Sequence, residues 1–302
     1  MKILKTVSIV VFIVSVILFG GYLAKENSQD QAGPEISLDS DHIQVSVKDD
    51  KEALLAGVTA SDAGDGDLTG AVCVESVGPF DEEENRVVRY VVFDSDGHVA
   101  RAFRKMSYTD YTAPVIEISG PLTFSTDSTN LVEGITVMDC LDGDITGSVQ
   151  IIFADDTKTT RPGIYPARLK ARNSAGGTAE LPVTYEIYDP AEYNRLPRLT
   201  LNNYLLRLKK GDSFNAADQL SSVVIGGTEY QFVRENGTYG ASGETADMSK
   251  HTIDQSLVTI TGEVDTNTAG CYEVDYSLKD DVFSTGTGTA RLYVVISEGG
   301  AE

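Results

Sequence analysis

Gly57-Val58-Thr59-Ala60-Ser61-Asp62, followed by Asp65-Gly66-Asp67-Leu68-Thr69-Gly70-Ala71-Val72, returns later in the same chain. The second occurrence is Gly134-Ile135-Thr136-Val137-Met138-Asp139, then Asp142-Gly143-Asp144-Ile145-Thr146-Gly147-Ser148-Val149. The offset is 77 residues at both ends, from 57 to 134 and from 72 to 149. Each stretch alternates apolar with polar residues and then breaks at Asp and Gly, which reads as a strand running into a tight turn.

Further echoes lie on either side. Asp94-Ser95-Asp96-Gly97-His98-Val99-Ala100 corresponds to Asn173-Ser174-Ala175-Gly176-Gly177-Thr178-Ala179. Each copy opens on Pro and alternating residues, at Pro34-Glu35-Ile36-Ser37-Leu38 and Pro114-Val115-Ile116-Glu117-Ile118. A third copy opens at Pro197-Arg198-Leu199-Thr200-Leu201 and closes at Ala269 to Tyr276, in the manner of Arg161 to Leu169. It lacks Asp-Gly-Asp and carries an insertion from about Gly226 to Gln255. A period of about eighty residues is too long for a solenoid unit and suits a small domain that folds alone.

Within each period the signals are β-branched and aromatic runs, such as Arg86 to Phe93 and Leu292 to Ile296, bounded by Gly, Asp, Ser and Pro. Short strands spaced in this way predict a β-sandwich. Asn215 to Val224 is the one stretch with the pattern of a helical turn. The paired motifs resemble the bacterial immunoglobulin-like repeat family first described in pesticidal crystal proteins. Gly57 to Thr69 with Asp94 to Ala100, and Gly134 to Thr146 with Asn173 to Ala179, carry that resemblance. It covers copies one and two, and copy three only at its ends. It implies an extracellular sandwich used as a spacer or adhesive module, and it does not specify function.

The N-terminus is different in kind. Thr6 to Ala24 holds no charge and is dominated by Val, Ile, Leu and Phe. As a helix it spans roughly 28 Å, close to the bilayer core. Large residues at Ile17, Leu18, Phe19 and Tyr22 spoil the small-residue pattern of a cleavage site, so an uncleaved anchor is favoured over a signal peptide. Lys2 and Lys5 place the N-terminus in the cytoplasm and the rest outside. The expected class is therefore all-β, an N-terminal transmembrane helix followed by three tandem Ig-like β-sandwich domains. The expected ranges are 1–24 for the anchor, 25–33 for a polar linker, then 34–112, 113–190 and a divergent 191–302. Pro-containing junctions near Thr109–Pro114 and Asp189–Pro197 separate the domains.

Charge limits the partners. The 302 residues hold 24 Lys and Arg against 46 Asp and Glu, a formal −22. The phosphate backbone of a nucleic acid repels such a chain. The expected partners are the membrane, through the helix, and a protein or glycan at the cell surface.

Two sets of residues are candidate sites. Asp62, Asp65 and Asp67, repeated as Asp139, Asp142 and Asp144, offer three carboxylates within six residues, and calcium is the cofactor they would take. The spacing is not that of an EF-hand, and the same residues equally form a turn in which Asp accepts backbone N–H bonds. In copy three the insertion brings Tyr230, Phe232 and Tyr239 onto what reads as a long loop, the usual place for binding on a rigid sandwich.

Other residues suggest no chemistry. Cys73, Cys140 and Cys271 do not align between copies, and Cys73 reads as a small buried hydrophobe in an apolar strand. His42, His98 and His251 are isolated. Asp81 to Glu84 is a charge run between strands and reads as a solvated loop. No phosphate loop, dinucleotide fingerprint, His-Glu-x-x-His or Gly-x-Ser-x-Gly is present. The chain is expected to bind rather than catalyse, presenting its domains for adhesion, with a passive stalk or envelope scaffold as the alternative.

Overall fold

The computed structural model describes residues 2–28, 32–154, 160–193, 195–233, 246–247, 251–280 and 286–298. The chain divides into two compact units, Met1–Tyr111 and Thr112–Glu302.

The first unit begins with α1 (Lys2–Ser28). The side chains described on it, residues 7–22, are exposed all round, with Phe12, Ile17 and Leu18 among them. Among the described residues no helix is long and apolar enough to cross a membrane. The span expected over Thr6 to Ala24 is therefore not shown.

The rest of this unit is a two-sheet sandwich. Its strands are β1 (Glu35–Leu38), β2 (His42–Val45), β3 (Val58–Asp62), β4 (Gly66–Asp67), β5 (Cys73–Val77), β6 (Arg86–Phe93) and β7 (Val99–Tyr108). They form sheets in the order β1-β3-β4 and β2-β7-β6-β5. The second unit opens with β8 (Val115–Ile118), β9 (Thr123–Ser125), β10 (Ile135–Asp139), β11 (Gly143–Asp144), β12 (Gln150–Phe153), β13 (Gly163–Arg172) and β14 (Thr178–Tyr188). Their sheets, β8-β10-β11 and β9-β14-β13-β12, repeat the first topology strand for strand. In both, the second strand crosses to the other sheet and pairs in parallel with the last one.

A short α2 (Pro190–Tyr193) leads to the third sandwich. It contains β15 (Arg198–Leu201), β16 (Leu205–Lys209), β17 (Leu220–Ile225), β18 (Thr228–Val233), β19 (Ala246–Asp247), β20 (Thr252–Asp254), β21 (Val258–Thr261), β22 (Gly270–Asp280) and β23 (Gly286–Ser297). The sheets run β15-β17-β18-β20-β19 and β16-β23-β22-β21. The helical turn expected in Asn215 to Val224 is a 3-10 turn, Ala216–Gln219, capped by the Asn215 side chain. The described parts of the insertion, β18 to β20, extend a sheet. The reading of this region as a loop is corrected to that extent.

Strand alternation buries one row of each sheet, and each sandwich fastens a loop with one tyrosine. Tyr90 Oη donates to Leu54 O (2.7 Å), Tyr185 Oη to Leu131 O (3.0 Å) and Tyr276 Oη to Ala216 O (2.8 Å). Those carbonyls lie where the chain leaves strand geometry and need a partner. The core of the first unit is its own, built on Val88, Tyr90, Val92 and Met106. The cores of the second and third sandwiches form one continuous cluster, from Ile116 to Ile296.

Candidate functional site

The repeated carboxylates act as turn closures. Asp62 Oδ1 accepts from Gly64 N and Asp65 N, and Asp139 Oδ1 accepts from Leu141 N and Asp142 N. Asp65 and Asp142 reach across to the later hairpin, each taking both the N–H and the hydroxyl of a serine, Ser95 and Ser174, at 2.6 and 2.8 Å. Asp67 and Asp144 accept from Thr69 N and Thr146 N at 2.9 Å, and both carboxyls are held below the usual range by those threonines. Between them Gly66 and Gly143 take φ of 78° and 73°, where a side chain is strained. Among the described residues no three His, Cys, Asp or Glu groups are placed to hold a metal ion. In this structure the carboxylates expected to take calcium, Asp62, Asp65, Asp67, Asp139, Asp142 and Asp144, accept hydrogen bonds from their own turns and from Ser95 and Ser174 of the later hairpins.

The two turns differ in one bond. Asn173 Nδ2 donates to Asp139 Oδ2 (3.0 Å). The serine bonds make Asp94 the counterpart of Asn173, and a carboxylate cannot donate in its place. Asp62 Oδ2 is left buried with no hydrogen-bond partner. Asp94 turns to His98, with Oδ2 2.7 Å from Nδ1 and Oδ1 accepting from His98 N. Burial alone would raise the Asp94 pKa, but the His98 ring and N–H outweigh it and hold the carboxyl low. Asp94→Asn is expected to supply the missing donor and raise the melting temperature of the first sandwich by about 4–8 °C, the equivalent of one buried hydrogen bond. Asp94 has its pKa depressed by folding. Its contribution is therefore full above the unfolded carboxyl pKa and lost as pH falls through the lower folded value, below about pH 4. A melting series from neutral to acid pH checks both points, since the variant lacks that acid loss.

The two described aromatic candidates of the third copy, Tyr230 and Phe232, pack toward its core. Tyr230 is 3% exposed and packs in the core, as alternation along β18 requires. Phe232 is partly buried against the same cluster. Tyr239 lies outside the described residues. Cys73 is exposed, contrary to its reading as a buried hydrophobe, because it sits on the outward face of β5. Cys140 is also exposed, and no thiol is paired.

A polar concavity lies instead at the junction of the second and third sandwiches, within one compact unit. Tyr293 on β23, 1% exposed, holds the two together. Its hydroxyl accepts from Thr184 N and donates to Thr184 O, both at 2.9 Å. Thr184 Oγ1 donates to Glu273 Oε1 (2.9 Å), and Thr289 Oγ1 to Glu186 Oε2 (2.8 Å). Arg207 reaches Glu117 Oε1 (3.0 Å) and the Ile116 carbonyl. Tyr188 stacks on Tyr193 of α2 at 3.7 Å between ring centres, with Arg198 on the other side of the joint over the Tyr193 ring.

Thr184, Glu186, Thr289 and Tyr293 of this joint also line a cleft of about 190 Å³. Leu122, Tyr276 and Ala290 give it apolar walls, while Thr184, Glu186 and Asp275 give it polar groups. Arg291 also lines it, with Nε 2.6 Å from Asp275 Oδ1 and 3.5 Å from Glu273 Oε2. The guanidinium is thus matched by carboxylates, and the threonine and serine hydroxyls and two acids that line the cleft suit hydroxyl groups more than a strong ion. No His or Cys lines the cleft. Nearby, Cys271 Sγ lies 3.9 Å from Pro182 O, and burial, then the Glu273 charge, push its thiol up to about 11. At neutral pH it is therefore protonated and a poor nucleophile. Sequence reasoning had no access to this cleft, because residues 184 and 293 meet only through the packing of two domains.

No family model matches the chain, and no curated protein matches it. Solved structures do. One is CBM51-2 in complex with GlcNAc and INT domains from Clostridium perfringens ZmpB, at 16% identity over 46% of this chain and 29% of that one, TM-score 0.21. Another is human CDH23 EC21-23, at 11% identity over 87% of this chain and 100% of that one, TM-score 0.21. A third is the lipoprotein BT2262 of Bacteroides thetaiotaomicron, at 14% identity over 60% and 98%, TM-score 0.21. The chain spans about a third to a half of the length of the first structures it matches. At these TM-scores the likenesses carry no argument. The Ig-like sandwich architecture rests on the strands and sheets themselves.

Proposed function

We propose that this chain is a non-catalytic surface-binding protein in which the second and third sandwiches form one binding head. The junction cleft receives the terminal residue of a glycan. The observation that carries the reading is the cleft itself, walled by apolar groups and edged by hydroxyls and acids from two domains. A volume of about 190 Å³ holds roughly six waters and is below the ~300 Å³ of a drug-sized pocket, so a single sugar ring is the right scale. Hydroxyls and carboxylates supply the acceptors and donors that a polyol needs, and Leu122 and Ala290 meet its C–H faces.

In this reading α1 is the anchor. The exposed apolar residues from Val7 to Tyr22 leave it without a polar face for water. Lys2 and Lys5 orient it with the N-terminus in the cytoplasm and the sandwiches outside. The first sandwich is then the segment next to the membrane, and the reaction chemistry of an enzyme is not needed.

The test is calorimetric titration of the full-length chain, in detergent micelles, with cell-envelope monosaccharides and short oligosaccharides. Saturable binding is expected. Glu186→Gln combined with Thr289→Val is expected to weaken it at least tenfold, with unchanged circular dichroism. No heat with any sugar would remove the binding head and leave the passive stalk.

A further inference from the structure

The first sandwich carries on its open face the equivalent of the surface that the second sandwich uses to hold the third. The matched hairpins at Asp94 and Asn173 fix the register. Phe103, Lys105 and Ser107 on β7 take the places of Pro182, Thr184 and Glu186 on β14. Those three residues of β14 meet the third sandwich through Cys271, Tyr293 and Thr289. Phe103, by contrast, is 74% exposed. Arg89 stands opposite it in the ladder, Phe93 opposite Val99, and Val87 opposite Lys105. Val87, Phe93 and Val99 are exposed as well. Apolar residues grouped on one sheet face, with Arg among them, have the composition of an interface centre.

Charge selects the partner. The chain as a whole carries 46 acids against 24 bases, so two copies repel over most of their surfaces. On this face the balance is even. Arg101 Nε lies 3.1 Å from Glu75, and Lys105 Nζ lies 3.3 Å from Glu83 and 3.7 Å from Asp81. Arg89 offsets the remaining acid. A charge-balanced, apolar sheet face on a strongly acidic chain is a place where two copies can meet without repulsion. We infer that this face joins two copies of the chain, sheet against sheet about a two-fold axis. In a closed isologous contact the same residues serve both partners, which a self-complementary mixture of Arg, Glu and Phe allows.

The experiment is the protein mass of the full-length chain in detergent, by sedimentation equilibrium over a range of micromolar concentrations. A dimer is expected for the natural chain. Phe103→Glu is expected to halve the mass, with circular dichroism unchanged because the side chain is already in solvent. Phe103→Ser serves as a second variant if the glutamate disturbs the fold. Ile152→Glu, an exposed apolar position on the second sandwich, is expected to leave the dimer intact. A natural chain that stays monomeric would overturn the inference. So would a dimer, held by α1 or any other surface, that persists in both Phe103 variants.

Discussion

Tyr293→Ala is expected to lower the unfolding free energy of the Thr112–Glu302 unit by about 3–5 kcal/mol, the cost of emptying a buried aromatic site. The ring is 1% exposed and belongs to the third sandwich, yet its hydroxyl serves both backbone groups of Thr184 in the second. Tyr293→Phe separates the two contributions. It keeps the ring and leaves Thr184 N buried without an acceptor, for an expected loss of about 1–3 kcal/mol. Urea unfolding followed by tyrosine fluorescence measures both. If the junction is what unites the two sandwiches, Tyr293→Ala also splits their unfolding into two transitions. A single transition of unchanged midpoint would contradict this.

The second large effect is expected in the first sandwich. Arg104 is 2% exposed, on the inward row of β7. Its Nε donates to Tyr90 Oη (2.8 Å), and its Nη2 to Leu54 O (2.9 Å) and Ala56 O (2.7 Å). The ion pair with Asp39, at 3.4 Å, reaches a carboxylate that is mostly in solvent and adds little. Arg104→Ala removes the donors to two loop carbonyls and opens a cavity beside Tyr90, for an expected loss of about 3–5 kcal/mol. Against a typical domain stability of 5–15 kcal/mol this brings the first sandwich near its limit. The second sandwich has Val183 at the matched position, but Arg104→Val is not expected to rescue the first, because Ala56 O keeps its need for a donor while Leu54 O retains only Tyr90 Oη. The midpoint of the first urea transition checks both variants.

The contrast between these residues shows what was legible beforehand. The Asp-Gly-Asp-x-Thr segment makes its bonds within one turn and one hairpin, so its repetition announced two sandwiches of the same topology. Its chemistry was ambiguous, since a carboxylate that closes a turn and one that holds calcium look alike in sequence. In the structure its bonds run to Ser95, Ser174, Thr69 and Thr146, which is the turn-closing arrangement. Tyr230 was misread because the turn at Gly226-Gly227 leads into strand β18, whose alternation points the ring inward. Arg104 went unnoticed beside Arg101, although a period of two places 102, 104 and 106 together on the inner side. The cleft belongs to no single segment and was invisible for that reason. It is created by Thr184, Glu186, Tyr276 and Thr289 meeting across a domain joint.

Binding of a sugar residue at this joint is read residue by residue from amide chemical-shift mapping on the full-length chain with envelope oligosaccharides. Saturable shifts are expected at Thr184, Glu186, Tyr276 and Thr289, and none at the hairpin from Asp94 to His98. Saturable shifts confined to another surface, with these four residues unmoved, would contradict it.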